Sequence, residues 1–246
     1  MKLRKTIFFA VLAASIVVGW NFRERIGIGW NMARQRVAKR TVDDRLREFG
    51  NAARERWAPH FKAAGVTYPP KRVVFVAFKE RRVFEVYGGS EIGLRFLRRI
   101  PILAASGKLG PKLRDGDRQV PEGIYEIESL NPNSAYHVSL RLSYPNAFDR
   151  AQAAKDGRTK LGGDIMIHGK SGSVGCLALG DEAAEDVFTL AADAGIKNVK
   201  VICSPVDFRN RVGLPRDFQP ETGTFGWTMG LYQEIYSELL ALPAHE

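Results

Sequence analysis

The spacing of apolar and polar residues changes texture three times along the chain. From Thr6 to Trp20 the residues are almost continuously apolar behind Lys2, Arg4 and Lys5. Residues 23–64 then alternate charge with Ile26, Ile28, Trp30, Val37, Val42, Leu46, Phe49, Trp57 and Phe61, a spacing nearer the helical period than the strand period. Thr41 followed by Asp43 and Asp44 marks a helix start within this stretch. After Tyr68-Pro-Pro70 the period shortens. Arg72–Phe78 and Arg82–Tyr87 are β-rich runs joined through Lys79-Glu-Arg81 as a hairpin, and Ile102–Ser106, Gly123–Ile127, Tyr136–Leu142, Asp164–His168 and Asn198–Cys203 predict further strands between Gly, Pro and Asn turns. Asp181 is placed to cap a helix that runs to about Ala194 and closes at Gly195. A last helix, about Thr228 to Leu242, carries Leu231, Ile235 and Leu239 on one face. There is no internal repeat.

This pattern predicts one mainly β domain with flanking helices in a chain of 246 residues. Its expected parts are a signal segment (1–22), a basic helical linker (23–68) whose charged face is solvated, a compact β-rich domain (69–206) and a C-terminal extension with one helix (207–246). The front segment has the basic and apolar regions of an export signal. Fifteen apolar residues reach only ~22 Å against a hydrocarbon layer of ~30 Å, which favours a signal peptide. The lack of an Ala-x-Ala site after it, with Trp20 and Phe22 as interfacial anchors, favours an uncleaved signal anchor. Either form places the remainder on the periplasmic side of the envelope, tethered through residues 6–22 when the anchor is kept.

The formal charge of +10 narrows the partners once its position is considered. Residues 1–22 contribute +3, residues 23–62 hold eleven Lys/Arg against five Asp/Glu, and residues 63–246 hold 23 against 22. A body so close to neutral has no basic field for nucleic acid, whereas the front is suited to a membrane surface.

Two cysteines lie in different settings. Cys203 ends an apolar strand and reads as a small core side chain. Cys176 lies in Ile167-His-Gly-Lys-Ser-Gly-Ser-Val-Gly-Cys-Leu-Ala-Leu179, eight residues after His168 across a glycine- and serine-rich loop. Gly169, Gly172 and Gly175 accept the backbone angles by which such a loop folds back on itself. The imidazole then comes within reach of the thiol as its base, and the Gly175 and Cys176 N–H groups become donors for an oxyanion. The bland alternative is a buried core histidine beside a structural cysteine. Metal binding is not expected: no Cys-x-x-Cys occurs, only four histidines are present, and His60 and His245 lie in outlying segments. No cofactor is expected either.

His168-Gly169 followed by Ser173-x-Gly175-Cys176 resembles the signature of the L,D-transpeptidase (YkuD-type) catalytic domain. Gly107-Lys-Leu-Gly, Gly116-Asp and Pro121-x-Gly123-x-Tyr125 resemble the segment that precedes it in that family, and Asn131–His137 with Tyr144-Pro-Asn146 resemble a single-domain, YafK-type subgroup. The resemblance covers about residues 69–206. It implies a β-rich YkuD-type fold and a thioester at Cys176 formed from a peptidoglycan stem peptide at its diamino-acid bond, with transfer to an amine or to water. In the subgroup it also implies release of a wall-linked lipoprotein. It makes Cys176 the nucleophile, His168 the base and a backbone carbonyl of the loop the group that orients the imidazole. Gly175, Ser173 and Gly169 become the oxyanion loop, and Tyr136 and His137 cleft residues. Asp164 is read as a strand-end residue. Larger groups of the family carry histidine where this chain has Val174 and arginine where it has Ala178, so the acceptor stays open. The competing class is a wall-binding module that keeps the fold without turnover.

Overall fold

The computed structural model describes residues 39–90, 93–210 and 218–244. The chain divides into two units, Met1–Arg40 and Thr41–Glu246. The expected signal segment and the first part of the basic linker lie outside the described residues. Among the described residues no helix is long and apolar enough to cross a membrane.

The second unit is built on a nine-stranded sheet in the order β3-β2-β1-β9-β5-β6-β7-β8-β4. Its strands are β1 (Arg72–Phe78), β2 (Val83–Ser90), β3 (Gly93–Pro101), β4 (Ala104–Ala105), β5 (Gly123–Asn131), β6 (Ser139–Leu142), β7 (Met166–His168), β8 (Leu177–Ala178) and β9 (Val199–Ser204). Among the described residues only β1/β9 and β7/β8 pair in parallel. The helices are α1, which runs from Val42–Arg45 through a π turn at Leu46–Gly50 into Asn51–Ala64, α2 (Ala147–Lys155), α3 (Asp181–Ala194) and α4 (Thr228–Leu240).

Both faces of the central strands are covered. Val73, Phe75 and Ala77 of β1 join a core with Trp57 and Phe61 of α1 and Val187, Phe188 and Ala191 of α3. Val74, Val76 and Phe78 point the other way, into a second core with Leu231, Ile235 and Leu239 of α4. A strand buried on both faces reads as an unbroken apolar run, which is why 72–78 was legible as a strand but not as to its faces.

Several expectations change. α1 begins where Thr41 and Asp44 form the capping box expected near that point. It is not the solvated face of a linker, because Phe49, Ala53, Trp57 and Phe61 lie four residues apart and are buried. Trp57 Nε1 also donates to the Asp186 carbonyl at 2.9 Å, and Arg54 grips Asp193 through two hydrogen bonds of 2.7 and 2.8 Å. Likewise α4 is part of the core rather than an extension. β3 was hidden because Arg95, Arg98 and Arg99 interrupt its alternation; it is an edge strand, where such charges discourage pairing with another chain. The strand expected at 102–106 shrinks to β4, and the one expected from Tyr136 starts only at Ser139, since His137 has a left-handed φ of +76°. α2 was missed although Asn146 and Asp149 form a reciprocal capping box. Gly195 closes α3 at φ +83°, but Asp181 is its first residue rather than its cap.

Candidate active site

The short parallel pair β7/β8 brings the chemistry-bearing residues of the sequence together. Ile167 pairs with Leu177 and His168 with Ala178, so Cys176, one residue before β8, falls beside Met166. In that register Cys176 and His168 are diagonal neighbours with side chains directed to one face of the sheet. The Cys176 Sγ lies 3.6 Å from the Asp164 carbonyl oxygen, and the Met166 N–H is directed at it. The thiol is half-buried, whereas His168 is only 2% exposed.

His168 Nδ1 is 2.6 Å from the Gly169 carbonyl oxygen. A carbonyl can only accept, so Nδ1 carries the proton and Nε2 keeps its lone pair for another proton. Burial lowers the imidazole pKa, partly offset by that hydrogen bond. Burial likewise pushes the Cys176 thiol up, with the Asp164 carboxylate adding to it, against the Met166 N–H and Lys112. Both shifts favour the uncharged forms, and no hydrogen bond joins the two side chains among the described residues. Burial thus favours thiol and neutral imidazole over the thiolate and imidazolium of a pre-ionised dyad.

The loop between them is held by its own backbone and two serines. A Cβ on Gly169 would come within 2.5 Å of Asp181 Oδ1 and 2.8 Å of the Tyr136 carbonyl oxygen, so only glycine fits. Asp181 Oδ1 instead accepts from the Lys170 N–H at 2.7 Å, a role the helix-cap reading of that residue did not contain. Ser173 Oγ donates to the Cys176 carbonyl at 2.6 Å and accepts the Cys176 N–H at 3.2 Å. The Gly175 N–H donates to Ser106 Oγ at 2.6 Å, and that hydroxyl donates to the Arg118 carbonyl at 2.7 Å. Both expected oxyanion donors are thus occupied by hydroxyls, which a substrate oxygen has to displace.

Tyr136 and His137 part company. The Tyr136 ring lies 4.6 Å from the His168 ring and is 43% exposed, a platform between the imidazole and solvent. His137 Nε2 is 2.8 Å from Glu185 Oε1 on α3, and its ring lies 6.0 Å from Phe49, so it ties the loop to the helices instead of lining the cleft. Arg45 of α1 completes that attachment, donating from Nε to the Pro132 carbonyl at 2.8 Å and from Nη2 to that of His137 at 3.3 Å. Ser106, Asp181, Glu185 and Arg45 escaped sequence reasoning because each acts from another element. Asp164, expected at a strand end, lies two residues before β7 with a left-handed φ of +55° and pairs with Arg141 at 2.7 Å. Val174 is 66% exposed, while Ala178 is fully buried within the β4/β8/β7 pairing. Cys203 is buried in β9, its thiol pushed up to about 12 by burial, and both cysteines are free. No cluster of three or more potential metal-ligating side chains occurs among the described residues.

Several known proteins resemble this chain. A protein of Escherichia coli K12 named "Putative L,D-transpeptidase YafK" is 34% identical over 119 residues, and its counterpart in Escherichia coli O157:H7 matches equally. The alignment takes in 48% of this chain and 46% of the relative, so the chain spans about half the length of the curated relatives it matches. Among solved structures, the helical cell shape determining protein Pgp2 of Campylobacter jejuni superimposes with a TM-score of 0.44 at 26% identity, over 55% of this chain and 48% of that one. L,D-transpeptidase 1 of Mycobacterium tuberculosis gives 0.32 at 18%, over 54% and 62%. The model of the L,D-transpeptidase catalytic domain family, YkuD, matches residues 71–203, more than half of the sequence and all of β1 to β8, and the chain belongs to that family.

Proposed function

We propose that this protein cleaves peptidoglycan stem peptides at the diamino-acid bond through a thioester on Cys176. The observation that supports it is the pairing of a half-exposed thiol with an imidazole on the same sheet face, its Nδ1–H fixed by the Gly169 carbonyl. His168 Nε2 takes the thiol proton as Sγ attacks the carbonyl carbon, so charge forms only as the new bond does. The Cys176 and Gly175 N–H groups turn from the serine hydroxyls to the oxyanion. As the tetrahedral intermediate collapses, the C–N bond breaks and the imidazolium returns the proton to the leaving amine. The thioester is then resolved by an amine, which forms a new amide, or by water, which forms a carboxylate; either route regenerates the thiol.

Water is the favoured acceptor in this reading. Val174 stands exposed beside the nucleophile and offers no polar group to hold an amine, and positioning of an acceptor is worth ~7–11 kcal/mol where it exists. Wall-linked lipoprotein is then a substrate class alongside free stems, and the basic and apolar front of the sequence supports a position on the outer, periplasmic side of the membrane.

Intact-mass analysis of the full chain with a disaccharide tetrapeptide tests the reading. The expected result is an acyl adduct on wild type that is absent from Cys176→Ala, followed by mainly hydrolysed product when a competing amine is present. A folded wild type that forms no adduct with any stem peptide would overturn the enzyme reading in favour of a wall-binding module. Dominant amide formation would overturn the preference for water alone.

A further inference from the structure

A cavity of about 780 Å³ opens away from the cysteine, where β1, β9 and β5 meet the first turn of α2. Five cations from four segments line it: Lys71 and Arg72 before and at the start of β1, Arg150 of α2, Lys197 of the turn before β9, and Lys200 of β9. The only carboxylate in the lining is Glu126. Lys200 is already matched by Glu238 at 2.8 Å, but Lys71, Arg72, Arg150 and Lys197 enter no ion pair among the described residues. This concentration is not a background effect, since residues 63–246 carry 23 basic against 22 acidic side chains. Val73, Phe148 and Val199 supply apolar wall, and Asn146, Asn198 and Ser143 supply hydrogen-bonding groups. The volume lies within the range of sites that enclose small molecules or short oligomers, and such a concave, cation-rimmed space concentrates field on an anionic ligand.

We propose that this cavity is a second binding site for the wall polymer, taking a carboxylate-bearing peptide stem other than the one attacked by Cys176. The proposal rests on the reading of the protein as acting on peptidoglycan. A stem peptide presents carboxylates spaced by methyl-bearing residues, which suits cations set around apolar walls. A phospholipid surface, by contrast, is met by a flat or convex patch and has no use for a concave space. No lining residue is shared with the cysteine loop. In the sheet, β6 and β7 stand between β5 and β8, so the two sites are about three strand spacings, ~14 Å, apart across the strands. One polymer lying across the sheet engages both, and the cavity supplies affinity without touching the reacting bond.

The test is sedimentation of the full chain with purified, phosphate-free sacculi, comparing wild type with Lys71→Glu/Lys197→Glu and with the milder Lys71→Gln/Lys197→Gln. Thermal melts serve as the check on folding. The expected result is a loss of sacculus affinity of at least tenfold for the first pair and a smaller loss for the second. Amidating the sacculus carboxylates should cause a comparable loss for wild type and little further loss for the variants. Adduct formation at Cys176 with a soluble monomeric stem should be unchanged. Unaltered sacculus binding in a folded charge-reversed variant overturns the proposal, as does a loss confined to phosphatidylglycerol vesicles, which would assign the cavity to lipid. Should the cysteine form no acyl adduct while the charge-reversed variant still loses sacculus binding, the cavity stands and the catalytic reading falls.

Discussion

At Cys176 and His168 the energetics are set by desolvation rather than by a standing ion pair. The thiol is raised and the imidazole lowered, each chiefly by burial. Alkylation of Cys176 by iodoacetamide should therefore rise with pH only beyond the usual thiol range, with no plateau near pH 6–7. His168→Ala should leave that profile nearly unmoved while reducing acyl-enzyme formation by ~10²–10⁴-fold, the usual contribution of a general base. A neutral-pH plateau that vanishes in His168→Ala would instead reveal a resting thiolate pair. Thiol labelling against pH therefore does not by itself separate an enzyme from a wall-binding module. Gly169 carries a different burden. Gly169→Ala forces a Cβ against Asp181 and the Tyr136 carbonyl, and we expect a loss of ~1–3 kcal/mol in urea unfolding together with slower acylation.

At the scale of elements, α1 serves the site as well as the core. Its Arg45 holds two carbonyls of the loop that carries Tyr136, and α3 holds the same loop through Glu185 and His137. Arg45→Ala removes both donors from α1 at once. We expect acylation to slow by about tenfold, near the worth of one or two hydrogen bonds from a charged donor, with tryptophan fluorescence reporting an intact fold. An unchanged rate would show that α3 alone suffices to place Tyr136. The contact of Arg45 with Pro132, 87 residues on, was invisible locally because nothing in either residue marks them as partners. By contrast, the helix itself was legible from Thr41, the two aspartates and the four-residue spacing of its large apolar side chains.

For the whole molecule, the family match from 71 to 203 is smaller than the folding unit. Phe49, Trp57 and Phe61 from before it and Leu231, Ile235 and Leu239 from after it fill the two faces of the sheet. A chain starting at Thr41 should melt as a single transition close to that of the full protein. One starting at Tyr68 should not fold at 37 °C, since losing Trp57 alone is worth ~3–5 kcal/mol against a total stability of ~5–15 kcal/mol. A cooperative melt of the shorter chain at a similar temperature would show that α1 only decorates the sheet.

What the sequence determined by itself was whatever depends on local pattern. The strands buried on both faces announce themselves as apolar runs, α3 and α4 by their helical period, and the cysteine loop by glycines that no regular element would tolerate. The candidate nucleophile and base were legible for the same reason, because His168, Gly169, Ser173, Gly175 and Cys176 lie within nine residues. Tertiary structure decided everything that depends on what comes from elsewhere. It put Ser106 on the Gly175 N–H and Asp181 on the Lys170 N–H, turned His137 toward Glu185, and raised the Cys176 thiol by burying it. Hydrogen-bond partners, desolvation and the meeting of cations in one cavity are properties of packing between distant segments, and a pattern read along the chain has no access to them.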